Sequence, residues 1–189
     1  HWQTAPARLE NAIVPAKGPV LVLAGSLSPM TARQIANATS YEHVLLDAAR
    51  LSQDASYRGQ MARQIAAQLG QGFHVLASTS PAPSAEGAPS TPTSLHSGRA
   101  LALACGELLT QVLNITPLAR LGIAGGDTSS HAVQALDAWG LSYQAQLAPG
   151  VALCHLHSDD ASLDGLEIML KGGQMGTEHL FEELLQGKA

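Results

Sequence analysis

The chain has 189 residues, a formal net charge of −5 and only three lysines, so it offers no basic surface for nucleic acid or an anionic membrane. No apolar run is long enough to span a membrane and no signal peptide is recognisable, so we expect a cytoplasmic protein. Apolar residues make up 46% but aromatic residues only 4%, which favours one domain with a core of small aliphatic side chains.

Short apolar runs alternate along the chain with segments of helical periodicity. The predicted strands are 20–24, 43–47, 73–77, 118–124, 151–157 and 166–170, and the predicted helices are 31–38, 57–69, 95–113, 130–139 and 178–185. This alternation predicts an α/β fold, a Rossmann-like three-layer domain with a mainly parallel sheet and helices on both faces. The closely spaced strands after Pro149 would make the sheet mixed if they pair antiparallel.

The domain is predicted to cover 19–189, after a linker or trailing segment at 1–18. The stretch 78–93 is rich in proline, serine and threonine and is predicted to be an exposed loop with no regular element. The long helix that follows it would be capped by Thr93 or Ser94.

Three of the predicted strands end in loops rich in glycine or hydroxyl residues, at 25–29, 125–129 and 171–176. Glycine lets backbone come close to a ligand, and a helix start offers unpaired N–H groups and a partial positive charge, which suits phosphate. Ligands of open α/β sheets bind at the carboxyl ends of strands, so the three loops predict a shared phosphate cradle. The alternative for 125–129, which fits neither the Walker spacing nor G-x-G-x-x-G, is a tight turn with Asp127 or Thr128 as N-cap.

Taken together and in order, these motifs resemble the C-terminal, nucleotide-binding domain of the four-carbon acid sugar kinases. The residues that carry the resemblance are Gly25-Ser26-Leu27-Ser28-Pro29 with Thr31 and Gln34-Ile35, Gly125-Gly126-Asp127-Thr128-Ser129, Ala148-Pro149-Gly150-Val151 and Leu170-Lys171-Gly172-Gly173-Gln174-Met175-Gly176. The resemblance implies an ATP-dependent kinase for acids such as threonate, erythronate or 3-oxo-tetronate. It implies that the nucleotide is contacted by Ser26 or Ser28, by Gly125, Gly126, Asp127 and Thr128, and by Gly173.

The acid-binding N-terminal domain of that family, with its Asp-Asp-x-Thr-Gly motif, is absent from these 189 residues. We therefore expect either an excised domain or a chain whose partner half is separate. The acceptor's base and the acid's binding site would lie on that other domain, so no catalytic residue is assigned here. The chain alone is expected to bind ATP or ADP but to transfer little phosphate, and a homo-oligomer is left open.

Three charged side chains are candidates for the same site. Lys171 opens the last glycine loop, where an ammonium could meet a phosphate, although a solvated lysine at a strand end is the alternative. Asp127 is a candidate oxygen ligand for Mg²⁺ beside the phosphates, or simply a cap of its own helix. Arg99 could reach the cleft or lie on the surface.

Other reactive side chains are interpreted as structural. His155 and His157 alternate on one side of a predicted strand without a third ligand nearby, so no metal site is predicted. Asp159 and Asp160 with Asp164 lack calcium-binding spacing and indicate a solvated hairpin. The two cysteines are expected to be free thiols in a reducing compartment, at Cys105 and Cys154.

Two other functions remain as alternatives. The first is a non-catalytic module that senses nucleotides. The second is a Rossmann-type oxidoreductase domain, which ranks last because the dinucleotide fingerprint is absent.

Overall fold

The structure is a computed structural model that describes residues 12–25, 28–79 and 92–187, without the side chains of residues 92–97 and 127. The strands in these ranges are β1 (Val20–Ala24), β2 (Glu42–Leu46), β3 (Val75–Thr79), β4 (Arg120–Ala124), β5 (Gly140–Ala148), β6 (Val151–His157) and β7 (Glu167–Lys171). The helices are α1 (Pro29–Asn37), α2 (Ala48–Gln53), α3 (Ala55–Gly70), α4 (Pro92–Leu113), α5 (Gly126–Ala135) and α6 (Leu180–Gln186).

All seven strands form one sheet in the order β2-β3-β1-β4-β7-β6-β5. The five strands from β2 to β7 are parallel, whereas β6 runs antiparallel to both β7 and β5. The predicted α/β class is confirmed, and the sheet is the mixed variant that the strand spacing after Pro149 suggested. The carboxyl ends of the five parallel strands therefore lie along one edge.

Helices cover both faces of the sheet, and each face has its own apolar core. One core joins the sheet to α2, α3, α4 and α5, and the other joins it to α6 and the partly buried Ile35 of α1. The interior strand β1 is buried along its whole length, since it contacts both layers. None of the described helices is both long and apolar enough to cross a membrane.

The predicted linker at 1–18 is described only from residue 12 onward. Ile13 is buried, and the backbone N–H of Ala16 donates to the carbonyl of Leu185 at 2.9 Å. Residues 12–18 thus lie against α6, while the domain boundary itself stays a prediction.

Two elements were missed by the sequence patterns. The helix α2 has only six residues, too few for a periodic pattern, and begins after Asp47, whose carboxylate accepts from the N–H of Arg50 at 2.9 Å. The edge strand β5 exposes much of its length and mixes glutamine and serine with apolar residues, so it carries no apolar run.

Several predicted boundaries were wrong. Helix α5 spans Gly126–Ala135 rather than 130–139, because the chain enters the helix directly from the glycine pair. Helix α4 already begins at Pro92, so Thr93 and Ser94 lie within its first turn and are not its caps. Of the predicted loop 78–93, the first two residues belong to β3 and the last two to α4, while 80–91 lie outside the described residues.

Candidate functional site

The three glycine-rich loops follow adjacent strands. Ala24 at the end of β1 pairs with Ala124 of β4, which in turn pairs with Lys171 of β7. Beyond the strands, Gly25 N–H donates to the Ala124 carbonyl at 3.1 Å, and Gly125 N–H donates to the Lys171 carbonyl at 3.0 Å. The loops therefore start side by side at the carboxyl edge of the sheet, and this adjacency comes from a strand order that the sequence did not give.

This edge also contains the topological switch point of the sheet. The chain leaves β1 toward β2 on one side of the sheet and leaves β4 toward β5 on the other side. Loops that depart in opposite directions from neighbouring strands open a crevice between them, where ligands of such folds bind.

The second loop leads directly into α5, whose first turn lies at this crevice. Gly125 is the N-cap residue with φ of 127°, a conformation that side chains other than glycine rarely adopt, and it has no side chain to accept from the helix. The alternative of a cap by Asp127 or Thr128 is therefore wrong, since both lie inside the helix. The first N–H groups of α5 and its partial positive charge face outward from the sheet edge.

Thr128 is almost fully buried beside the first loop. A Cβ atom at Gly25 would overlap the Thr128 side chain, so only glycine fits at that position. The first and second loops are thus in direct contact. The side chain of Asp127 and all of Ser26 lie outside the described residues, and their predicted contacts with nucleotide stay predictions.

The first and last loops are joined through one carbonyl. The Ser28 hydroxyl, which caps α1 by accepting from Thr31 N–H at 3.1 Å, donates to the carbonyl of Gly173. The Thr31 hydroxyl donates to the same carbonyl at 3.0 Å. A Cβ at Gly173 would come within 3.2 Å of Ser28 Cβ, so these two predicted nucleotide contacts touch each other.

Lys171 is buried at the centre of this junction, with 2% of its surface exposed. Its ammonium donates to Thr31 Oγ1 at 2.8 Å, to Gln34 Oε1 at 2.7 Å and to the Gly173 carbonyl at 3.1 Å. Burial lowers the pKa of Lys171 from 10.5 to about 8. The side chain thus ties the last loop to α1, and a direct bond to phosphate stays a prediction.

Gln34 is a part of the site to which the sequence patterns gave no role. It is 1% exposed, and its Nε2 donates to the Met175 carbonyl at 3.0 Å and to the Thr177 carbonyl at 2.7 Å. Thr31 and Gln34 stand three residues apart on α1, so both face the last loop. Both residues stand among those that carry the family resemblance, and the sequence signal for them is that resemblance, whereas their burial is known only from the structure.

A cleft of about 540 Å³ opens beside α5 at the same edge. Its lining comes from one side of α5 and from the end of β7 with the residue that follows, and comprises Gly126, Ser129, Ser130, Val133, Gln134, Leu170, Lys171 and Gly172. The cleft begins at the start of α5 and extends along the helix. It has space for a small molecule.

The remaining candidate side chains lie apart from the cleft. Arg99 is exposed on α4 and does not line it. His157 Nε2 lies 2.8 Å from the hydroxyl of Ser142, and the imidazole stacks on Trp139. In the described part of the chain, no three His, Cys, Asp or Glu side chains are grouped to hold a metal ion.

The acidic turn and the cysteines have structural surroundings. Asp160 accepts from the N–H and hydroxyl of Ser162 at 2.8 and 2.7 Å, and Asp164 accepts from the N–H of Ser158 at 3.2 Å. The two cysteines are free thiols, as expected, and burial raises the pKa of the Cys105 thiol to about 12.

Comparison with known proteins identifies the family. Residues 21–181 match the family model described as "Nucleotide-binding C-terminal domain". The chain is 31% identical over 208 aligned positions to a 3-oxo-isoapionate kinase of Paraburkholderia graminis, covering 100% of this chain and 43% of that protein. It is 31% identical to a D-threonate kinase of Salmonella typhimurium, covering 85% of this chain and 40% of that protein. The chain belongs to the four-carbon acid sugar kinase family.

Solved structures share the fold of this chain. A Haemophilus influenzae protein superposes with a TM-score of 0.69 at 26% identity, covering 91% of this chain and 41% of that one. A Bordetella bronchiseptica protein, described as a domain-swapped dimer with bound citrate, gives a TM-score of 0.69 at 23% identity, covering 93% of this chain and 41% of that one. The chain thus spans about two-fifths of the length of the proteins it matches.

Proposed function

We propose that this chain is the ATP-binding part of a kinase that phosphorylates four-carbon sugar acids of the threonate, erythronate or 3-oxo-tetronate type. The observation that carries the proposal is the meeting of three glycine-rich loops at adjacent strand ends, beside the start of α5 at the switch point. The kinases among its relatives support the reaction type. A cytoplasmic location stays part of this proposal.

The phosphates of ATP are proposed to bind at the first turn of α5, where Gly126, Asp127 and Thr128 present backbone N–H groups next to the cap residue Gly125, whose own N–H donates to the Lys171 carbonyl. Backbone donors and a helix start suit phosphate because they add partial positive charge without a mobile side chain. Lys171 adds a full charge from a buried position, where water screens it little.

The first and last loops are proposed to close the phosphate site from the other side. Ser28 and Gly173 are bonded to each other and to α1, so they are held in place before a ligand arrives. Phosphoryl transfer requires mainly alignment and charge stabilisation, and a prearranged site reduces the entropy lost on binding.

Mg²⁺ is proposed to enter with the nucleotide, where it would neutralise charge on the phosphates. The described residues at the cleft offer hydroxyls and backbone groups, which suit a metal ion that arrives bound to the phosphates. Magnesium commonly takes one or two carboxylates together with substrate phosphates, and Asp127 is the proposed carboxylate.

Calorimetric titration of the chain with Mg·ATP, Mg·ADP and NAD tests the proposal. We expect ATP or ADP to bind more tightly than NAD, because the site has phosphate-binding loops without the dinucleotide fingerprint. NAD binding as tight as ATP would favour the oxidoreductase alternative and contradict the proposal.

Kinase assays separate the proposed enzyme from the nucleotide-sensing alternative. With tetronates and Mg·ATP, the chain alone is expected to show at most trace turnover. Alignment of ATP with the acceptor can lower the activation barrier by about 7–11 kcal/mol, and the acceptor is expected to bind on the other domain. Addition of the N-terminal domain of a full-length relative should restore turnover. ATP binding without any restored turnover would support a sensing module instead.

A further inference from the structure

We propose that the nucleoside of the bound nucleotide lies in the part of the cleft between Val133 and Leu170. This inference rests on the proposed function and adds to it the position of the base. The phosphates would bind at the first turn of α5, and the outward side of the helix beyond that turn would distinguish a nucleotide from a simple polyphosphate.

The first argument is the direction of the cleft. The α5 residues that line it are spaced by three and four positions, so they form one stripe along the helix, at Gly126, Ser129, Ser130, Val133 and Gln134. With a rise of about 1.5 Å per residue, the stripe extends about 10 Å from Gly126 to Val133. A ligand whose phosphates sit at the start of α5 therefore extends along this stripe.

The second argument is the change of chemistry along the cleft. Near Gly126 the lining is polar, and the Ser130 hydroxyl donates to the Gly126 carbonyl at 3.1 Å. Farther along, Val133 of α5 and Leu170 of β7 are half-buried aliphatic side chains that line the cleft. A nucleotide has the same polarity, because it is anionic at one end and carries a flat base of low polarity at the other. Burial of the base between aliphatic groups removes apolar surface from water.

The third argument is the amide at the far end of the stripe. Gln134 is exposed, and its side chain bonds to none of the residues that the structure describes. An amide both donates and accepts hydrogen bonds, so it can pair with the polar edge of a base. Gln134 is therefore the proposed residue that reads the base.

The experiment compares Mg·ATP with inorganic tripolyphosphate and magnesium, a probe that has phosphates but no nucleoside. The substitution Val133→Trp fills the aliphatic part of the cleft and leaves the first turn of α5 unchanged. It should weaken ATP about tenfold or more and change tripolyphosphate affinity less than about twofold. Both affinities are measured by calorimetry on the full chain.

Two further variants keep the test decisive. Val133 packs in part against the core, so Gln134→Trp, at the exposed neighbouring position, places the same bulk in the cleft without touching the core. Ile115→Trp is the matched control, because Ile115 is 54% exposed in the connection before the amino end of β4, at the opposite edge of the sheet. This control should leave both affinities unchanged.

The possible outcomes are distinct. Unchanged ATP affinity in both cleft variants would overturn the inference, as would an equal loss for ATP and tripolyphosphate in variants that keep the wild-type melting temperature. If the wild-type chain binds tripolyphosphate as tightly as ATP, the phosphate site stands and the nucleoside position is wrong. If the wild-type chain binds neither ligand, the proposed function fails and the inference fails with it.

Discussion

Lys171 shows how one residue serves both the fold and the proposed site. Its ammonium is buried and meets only neutral acceptors, on α1 and in the last loop. In the described part of the chain no carboxylate pairs with it. A charge buried without a counter-charge is costly in the folded protein, which is why its pKa falls to about 8.

The first prediction concerns the substitution Lys171→Met and the pH dependence of stability. Below pH 8 the lysine is protonated in both folded and unfolded chains. Between pH 8 and 10.5 the folded chain releases the proton while the unfolded chain keeps it, so the contribution of Lys171 to stability increases with pH. From pH 7 to pH 10, the unfolding free energy of the wild type should rise relative to the variant by about 1–3 kcal/mol.

Urea unfolding at several pH values measures this difference, with Lys17→Met as the control at an exposed lysine. The control should follow the wild type at every pH. Parallel pH profiles for the wild type and Lys171→Met would show that the ammonium titrates as a solvated lysine.

At the scale of the element, α5 starts without a side-chain cap, and its first residue, Gly126, has free space beside it. A Cβ at Gly126 would meet nothing within 4 Å, although Gly126 lines the cleft. Gly126 is exposed, so the space beside its backbone is open to solvent. The space is therefore available for a ligand to approach the backbone.

The second prediction is that Gly126→Val abolishes nucleotide binding without unfolding the domain. Its side chain would occupy the space at the helix start, so the phosphates could no longer reach the N–H groups. Stability should change by less than about 1 kcal/mol, since valine follows helical geometry at least as well as glycine. Calorimetry and thermal unfolding report the two effects separately.

The matched control is Gly70→Val, at the last residue of α3, where an added Cβ also meets nothing within 4 Å. That variant should bind nucleotide like the wild type. Normal ATP binding by Gly126→Val would place the phosphates elsewhere.

At the scale of the molecule, Arg120 joins parts that are distant along the chain. It is 1% exposed at the start of β4, and its Nε lies 2.6 Å from Glu167 Oε2 on β7. Its two terminal nitrogens donate to the carbonyls of Leu184 in α6, at 2.5 Å, and of Val14, at 3.1 Å. One guanidinium thus fastens the N-terminal segment and the last helix to the edge of the sheet opposite the cleft.

The third prediction is that Arg120→Ala destabilises the whole domain by about 3–5 kcal/mol, because it leaves Glu167 without its buried partner. Nucleotide affinity, measured where the variant is still folded, should be unchanged, since Arg120 lies at the other edge. Arg33→Ala breaks an ion pair that is more than half exposed at Arg33, and should cost less than about 1 kcal/mol. Urea unfolding compares the two variants. Similar losses of unfolding free energy would mean that the contacts of Arg120 stabilise the domain no more than an exposed ion pair does.

Local patterns predicted much of this architecture. Apolar runs such as 20–24 and 151–157 have the expected strand bounds, because buried strands need continuous apolar sequence. The edge strand β5 was missed because a half-exposed strand does not need such a run. The start of α5 was placed four residues late, because glycine residues indicate a turn unless the structure shows that one of them caps a helix.

The sequence by itself determined the α/β class, the three glycine-rich strand ends and the family, because all three depend on short segments read in order. Only the tertiary structure decided that β1, β4 and β7 are neighbours, and that Lys171 and Gln34 join the last loop to α1. Strand order depends on which strands bury each other's surfaces, and the bonds of Lys171 span 137 to 140 positions when they reach α1. Contacts at such separations are set by the packing of the whole sheet, which no local pattern encodes.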